Sequence, residues 1–335
     1  MKREEMLQQL KDNSHWDIII IGGGATGLGA GVDAATRGYK TLLVEQEDFA
    51  KGTSSRSTKL VHGGVRYLAQ GNIKLVMDAL KERGLLLKNA PHICSDLAFV
   101  IPAYKWWEKM YYGAGLKIYD FMAGKLSLGD TKIISAKTAQ QLLPTIETNK
   151  LKGGIIYKDG QFDDARLAIN LAQTAAENGG CILNYCKVTS LIKQDDKLSG
   201  IIFIDSINNK KYNATAAVVI NATGVFTDAV LQMDDAAKPN LVSPSQGIHI
   251  VLDKKFFPGN DALMIPKTAD GRVLFAVPWH GKVVVGTTDT PVEKISLEPK
   301  ALEEEIQFIL KHINLYLNVA ITKKEVKSIY VGLRP

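Results

Sequence analysis

The clearest signal along the chain is a change of period near its start. In WDIIIIGGGATGLGAGVDAATRGYKTLLVEQ the run Asp17 to Ile21 is apolar and β-branched, the pattern of a parallel strand buried on both faces. Glycines end it at once. From Thr26 to Arg37 the small residues Gly27, Ala30, Ala34 and Ala35 suit a helix packed close to a sheet, Gly38 ends that helix, and TLLVE supplies a second buried strand. This is one βαβ unit. Further on, GTSSRSTKLVHGGVRYL (52–68) has no clean period and reads as a loop leading into a helix from about Ile73 to Asn89, closed by Pro91. Tyr104 to Leu128 is an aromatic and charged excursion, expected to be a cap or surface element. Helical spacing returns at Asp164 to Asn178, followed by strand-like ILNYCKVTSLIK, GIIFID and AAVVINATG, a return to the first domain. FAVPW, KVVVGTTDT and GIHIVLD then suggest an antiparallel sheet. The expected organisation is a first domain in two parts, 1–90 and 156–235, an excursion over 91–155, and a sheet-bearing domain over 236–335.

Composition narrows the class. With 46% hydrophobic and 23% charged residues in 335, disordered, collagen-like and disulfide-framework classes are excluded. The net charge of +6 favours anionic ligands modestly but is not concentrated as in a nucleic-acid binder, and no nucleic-acid partner is expected. Cys94, Cys181 and Cys186 include no CxxC pair and no zinc-ligand spacing, so no metal is expected and a reducing compartment fits. The first fifteen residues mix charges without an apolar core and read as a short solvated helix rather than a secretory signal. No apolar run reaches the length of a spanning helix, so membrane contact is expected to be peripheral.

The chemistry starts at Gly22-Gly23-Gly24-Ala25-Thr26-Gly27, a G-x-G-x-x-G after a strand and at the opening of a helix, with Glu45 ending the second strand. Gly22 permits the tight turn, Gly24 lets backbone approach a pyrophosphate, and Gly27 lets helix and strand pack closely, while the helix N-terminus attracts the anion. Glu45 stands where a carboxylate accepts from a ribose. The motif alone leaves NAD and FAD both open. Thr53, Ser54, Ser55, Ser57 and Thr58, with Arg56 and Lys59, form a dense donor set for phosphate oxygens or a polar ring edge. In His62-Gly63-Gly64-Val65-Arg66-Tyr67, two glycines allow close backbone approach beside an imidazole and a fixed cation.

GGGATG, GTSSRSTKLVHGGVRYL, DDARL (163–167), INATG (220–224), SQGIHIVL, VVVGTTDT and the terminal YVGLRP together resemble the FAD-dependent glycerol-3-phosphate dehydrogenase family, over Trp16 to Pro335. Val225-Phe226 departs from the Pro-Trp of many relatives. Family members continue past the position of Pro335 with a Gly-Gly-Lys segment and a helical domain, so this chain is expected to lack the C-terminal part. The resemblance implies an α/β fold like that of D-amino-acid oxidase: a Rossmann-like FAD-binding domain with an inserted α+β substrate or cap domain containing an antiparallel sheet. It also implies FAD held by Gly22, Gly24 and Gly27 at the pyrophosphate, Glu45 at the ribose, Thr53, Ser54 and Ser55 on the flavin side, and Ala222, Thr223 and Gly224 as passing backbone. The substrate would be sn-glycerol 3-phosphate, its dianion cradled by Arg66 and Arg334, whose planar forks make bidentate bonds to phosphate.

The implied reaction is oxidation at C2 to dihydroxyacetone phosphate, with hydride passing to flavin N5, a base taking the hydroxyl proton, and electrons passing to quinone. A base titrating near neutrality points to histidine, and both His62 and His249 are candidates. Alternation in GIHIVLD puts His249 on the face opposite Ile248, Ile250 and Leu252; His62 is preferred for the Gly-Gly beside it. The expected location is cytoplasmic, peripheral on the inner face of the membrane, with a homodimer left open. Asp163, Asp164 and Arg166 suggest an internal ion pair, and GTTDT (286–290) either a turn or a cavity wall. A glycerol-3-phosphate oxidase, a flavoprotein acting on another hydroxy acid or an amine, and an inactive FAD-binding fragment stand as alternatives.

Overall fold

A computed structural model describes residues 1–335, with the side chains of Arg66 and Ala69 left aside. The apolar run at the start becomes the central strand His15–Ile21, which pairs in parallel with Thr41–Val44 on one side and Lys210–Asn221 on the other. Cys181–Leu183 extends the parallel side, and Lys197–Asp205 and Cys186–Gln194 continue from Lys210–Asn221 as an antiparallel meander, giving a six-stranded sheet. Ile19, Ile20, Leu42 and Leu43 are completely buried, as expected of strands covered on both faces. The helices Ala25–Thr36 and Asp164–Glu177 pack against each other over this sheet through small residues, with Gly31 against Ala175.

The second sheet has ten strands and joins stretches far apart in sequence. Ser245–Asp253, Lys282–Gly286, Leu274–Trp279 and Ala262–Ile265 form the expected antiparallel run. Ala262–Ile265 then pairs in parallel with Cys94–Ala103, which pairs antiparallel with Gly153–Phe162. One expected boundary is thereby corrected. The 91–155 excursion and the 236–335 segment share one sheet, and the cut at 155/156 falls inside the strand Gly153–Phe162, so the return to the first sheet starts at the helix Asp164–Glu177. Local period could not show this, because the pairing of Ala262 with Phe99 is a long-range register.

Two smaller corrections concern charge. The N-terminal helix Arg3–Asp12 is not merely solvated: Met6 and Leu10 are buried in the first core, and Arg3 pairs at 2.8 Å with the fully buried Asp205. Asp164 pairs with Lys59 at 2.7 Å rather than with Arg166, while Asp163 caps its helix by accepting from the Arg166 backbone N–H. Ser57 also donates to Asp164, at 2.7 Å. The cation and hydroxyl therefore come from the 52–68 loop, and Asp164 fastens that loop to the first sheet's helix layer.

Candidate active site

The glycine turn after the first strand is shaped by backbone contacts that leave no space for a side chain. Gly22 has φ +114°, and a Cβ there would stand 2.5 Å from the carbonyl oxygen of Ala222; a Cβ on Gly27 would stand 2.0 Å from the carbonyl oxygen of Gly22. Ala222 in turn donates its N–H to Ile21 at 2.8 Å. The Glu45 carboxylate accepts from the N–H groups of Gly23 (2.6 Å) and Glu47 (2.9 Å), and burial pushes its pKa upward. Each of its oxygens retains a lone pair for a ribose hydroxyl. Ser54 Oγ accepts from the N–H of Ala25 at the start of the helix Ala25–Thr36. Thr223 donates to Asn221 at 2.6 Å, and Gly224 turns the chain out of the strand with φ +57°.

Ser54 belongs to the short helical turn Thr53–Ser55, which leads from the glycine turn to a cavity of about 580 Å³. Thr53, His62, His249 and Arg334 all lie on its wall. Thr53 donates to the carbonyl of Leu333 at 2.5 Å, tying the loop to the final strand Ser328–Arg334. Ser55 does not share this wall; it lines a more open depression with Arg56 and Glu298. The Arg66 side chain lies outside the described residues, so its expected cation cannot be placed.

Arg334 has a defined aim. Nη1 donates to Asp289 at 2.9 Å, and Nη2 donates to the carbonyl of Thr288 (3.0 Å) and to Thr287 Oγ1 (3.2 Å). Gly247 lies against the fork, since a Cβ there would be 2.3 Å from Nη2. GTTDT is thus cavity wall, and it also orients a cation.

The two imidazoles differ in environment. His249 is buried, shares a 2.8 Å hydrogen bond with Thr58 through Nε2, and stacks on Tyr330 at 4.7 Å between ring centres. Burial, with Arg334 and Lys59 nearby, pushes its pKa down to about 3, so it is neutral throughout the physiological range. His62 is exposed toward the cavity, and its Nδ1 accepts from the N–H of Gly64 at 2.9 Å. The neutral ring then carries its proton on Nε2.

Two wall residues escaped the sequence reading. Arg272 spends Nε and Nη2 on Asp270 and lies over the ring of Phe308, while its buried Nη1 has no partner among the described residues. Asp159 forms a buried ion pair with Arg83 at 2.9 Å and accepts from Tyr119, whose hydroxyl accepts the Gly63 N–H at 2.7 Å. The sequence signal for Arg272 was a tight Asp-Gly-Arg turn, with Gly271 at φ +83°. Asp159 left none, being one polar residue within a strand.

Residues 17–335 match the family model described as FAD dependent oxidoreductase, DAO. The chain belongs to that family. Its cofactor is therefore FAD, and the glycine turn fits that group, because the Gly22, Gly27 and Ala222 contacts bring bare backbone together at a helix N-terminus. The chain is 43% identical to the mitochondrial glycerol-3-phosphate dehydrogenase of Schizosaccharomyces pombe, covering 99% of this chain and 54% of that protein. It is also 43% identical to the human mitochondrial protein of the same name, covering 99% and 48%. It thus spans about half the length of these curated relatives. The solved glycerol-3-phosphate dehydrogenase of Bacillus halodurans, complexed with FAD, superposes with a TM-score of 0.82 at 32% identity, covering 99% of this chain and 59% of that one. A glycine oxidase of Bacillus cereus, at 19% identity and TM-score 0.68, shares the fold. The mixed α/β, two-sheet architecture is that of the family.

Proposed function

We propose that this chain forms the FAD- and substrate-binding part of an enzyme that oxidises sn-glycerol 3-phosphate to dihydroxyacetone phosphate. The observation that carries the reading is the aimed cation on the cavity wall: Arg334, clamped by Asp289 and Thr288. An anionic group on the substrate suits this fork, since charge-assisted bonds from arginine to phosphate are the strong ones. FAD, when bound, supplies the acceptor for the hydride leaving C2. Of the two imidazoles, His249 accepts a proton poorly, since a charge on it would be buried beside Arg334 and Lys59. His62 therefore takes the hydroxyl proton. Solvent exchange at this exposed ring supplies the tautomer protonated on Nδ1, and Nε2 then accepts, at the cost of the hydrogen bond from Gly64. For Arg66, a role in holding the same anion is implied by the family motif alone.

The reading extends to a quinone acceptor and to attachment at the inner face of a membrane. The helix Trp106–Ala123 supports this by exposing Trp107, Tyr111, Ile118 and Phe121 along one stripe, with Phe121 at 86%, and Trp106 and Met110 beside it. Its packed neighbour Ile73–Asn89 adds exposed Ile73, Leu75 and Met77, and Lys105, Lys117 and Lys125 lie exposed nearby. Aromatic side chains with flanking lysines suit a lipid interface. Among the described residues no helix is long and apolar enough to cross a membrane.

One preparation tests the reaction. Protein supplied with FAD and titrated anaerobically with sn-glycerol 3-phosphate should lose its oxidised flavin band, and glycerol at the same concentration should leave it. Persistence of the band with a phosphorylated substrate rejects the reading, and stoichiometric hydrogen peroxide under air would replace the quinone acceptor with oxygen. A second measurement tests attachment. The wild-type protein should sediment with anionic phospholipid vesicles and the double variant Trp106→Ser, Phe121→Ser should remain in the supernatant; equal sedimentation removes this helix from the membrane surface.

A further inference from the structure

Behind the wall that aims Arg334 lies a buried carboxylate that does not itself line the cavity. Glu305, in the first turn of the helix Glu303–Asn314, is 3% exposed. Its Oε1 accepts from the hydroxyls of Thr288 (2.9 Å) and Thr290 (2.8 Å), and its Oε2 accepts from the Gln246 side-chain amide (2.7 Å) and the Leu302 N–H (2.9 Å). All four donors are neutral. Burying a charge without a countercharge is costly unless its lone pairs are all used and a helix N-terminus favours it, and both conditions hold here. An apolar residue of similar size would fill the same space more cheaply. What such a residue lacks is the ability to hold two threonine hydroxyls of one wall at fixed points.

Those hydroxyls lead directly to Arg334. Thr288 Oγ1 also accepts from the Ile248 N–H at 2.9 Å, so Thr288 is held from the helix side and from the strand side. Its carbonyl oxygen, Thr287 Oγ1 and Asp289 then receive the Arg334 fork. We propose that Glu305 is a positioning residue: by anchoring Thr288 and Thr290 it fixes the Thr287–Asp289 wall and thereby the direction in which Arg334 meets an anion. The inference rests on the reading of the cavity as a site for a phosphorylated substrate, and it deepens that reading by naming what sets the anion affinity.

The test is Glu305→Gln, which keeps the shape and turns one acceptor into a donor. In FAD-loaded protein the Kd for sn-glycerol 3-phosphate, from anaerobic flavin bleaching, should rise about tenfold, with the limiting reduction rate within about threefold and FAD content unchanged. Calorimetric titration with inorganic phosphate reads the anion site without turnover, and its Kd should rise by a similar factor. A wild-type protein that binds phosphate but is not reduced by glycerol 3-phosphate rejects the proposed reaction while leaving the Glu305 comparison intact. A variant with wild-type Kd for both anions overturns the positioning role. So does one that loses FAD and thermal stability but binds anion normally whenever FAD is retained, because that pattern is purely structural. Wild-type protein that binds neither anion overturns both proposals. Should Glu305→Gln fail to fold, Thr290→Val removes one of the four donors from off the cavity wall; a Kd rise of about threefold supports the inference and an unchanged Kd overturns it.

Discussion

Replacing Arg334 with alanine should weaken binding of sn-glycerol 3-phosphate by about ten- to a hundredfold while leaving FAD content at the wild-type level. The fork is held on three sides by Asp289, Thr288 and Thr287, so its orientation entropy is lost on folding rather than on binding. The fork is partly exposed, and a hydrogen bond to a charged group is worth about 1.5–3 kcal/mol, or roughly tenfold to a little over a hundredfold in Kd. Arg334→Lys should recover little, because a single ammonium cannot reach Asp289 and the Thr288 carbonyl and still present a donor to the ligand. Anaerobic flavin bleaching measures both variants. A Kd within threefold of wild type for Arg334→Ala would remove the phosphate from this wall.

The second large effect belongs to the glycine turn. Gly27→Ala should yield protein without a flavin band and with a markedly lowered Tm. The added Cβ would lie 2.0 Å from the Gly22 carbonyl oxygen, and Gly22 is itself held at φ +114° against Ala222. Neither neighbour is a flexible side chain, so the strain falls on the turn that receives the pyrophosphate; overpacking of this kind costs about 1–3 kcal/mol or more. Gly29→Ala is the matched control. Gly29 lies in the same helix with open space around its Cβ position, and alanine there should stabilise by up to about 1 kcal/mol. Absorbance of purified FAD-loaded protein and a melting curve decide the matter. A Gly27→Ala protein that keeps stoichiometric flavin would show that the turn relaxes, contrary to the close packing described.

These two predictions also mark what the sequence makes legible. The first βαβ unit reads directly, because strand, glycine turn, helix and Glu45 are consecutive and their requirements are local. His249 reads in part: alternation placed it opposite Ile248, Ile250 and Leu252, all fully buried, but not on a cavity rather than in water. The second sheet does not read locally, since its joint between Ala262–Ile265 and Cys94–Ala103 depends on a partner far along the chain. Arg272 and Glu305 were missed for opposite reasons. Arg272 resembles any charged turn residue until its buried, unpaired N–H is seen. Glu305 sits among Glu303 and Glu304 at a helix start, where acidic residues are ordinary, and only the fold turns it inward.

The parallel joint between Cys94–Ala103 and Ala262–Ile265 has a further consequence for synthesis on the ribosome. Between these strands the chain contributes four of the six strands of the first sheet. The first half of the second sheet must wait, with an open edge, until that whole segment has emerged and its later partners follow. Such a non-local closure slows folding and leaves a strand edge exposed meanwhile. Neither sheet corresponds to a contiguous stretch that translation could complete alone, so truncation after the first sheet's last strand should give an aggregating product rather than a soluble nucleotide-binding half.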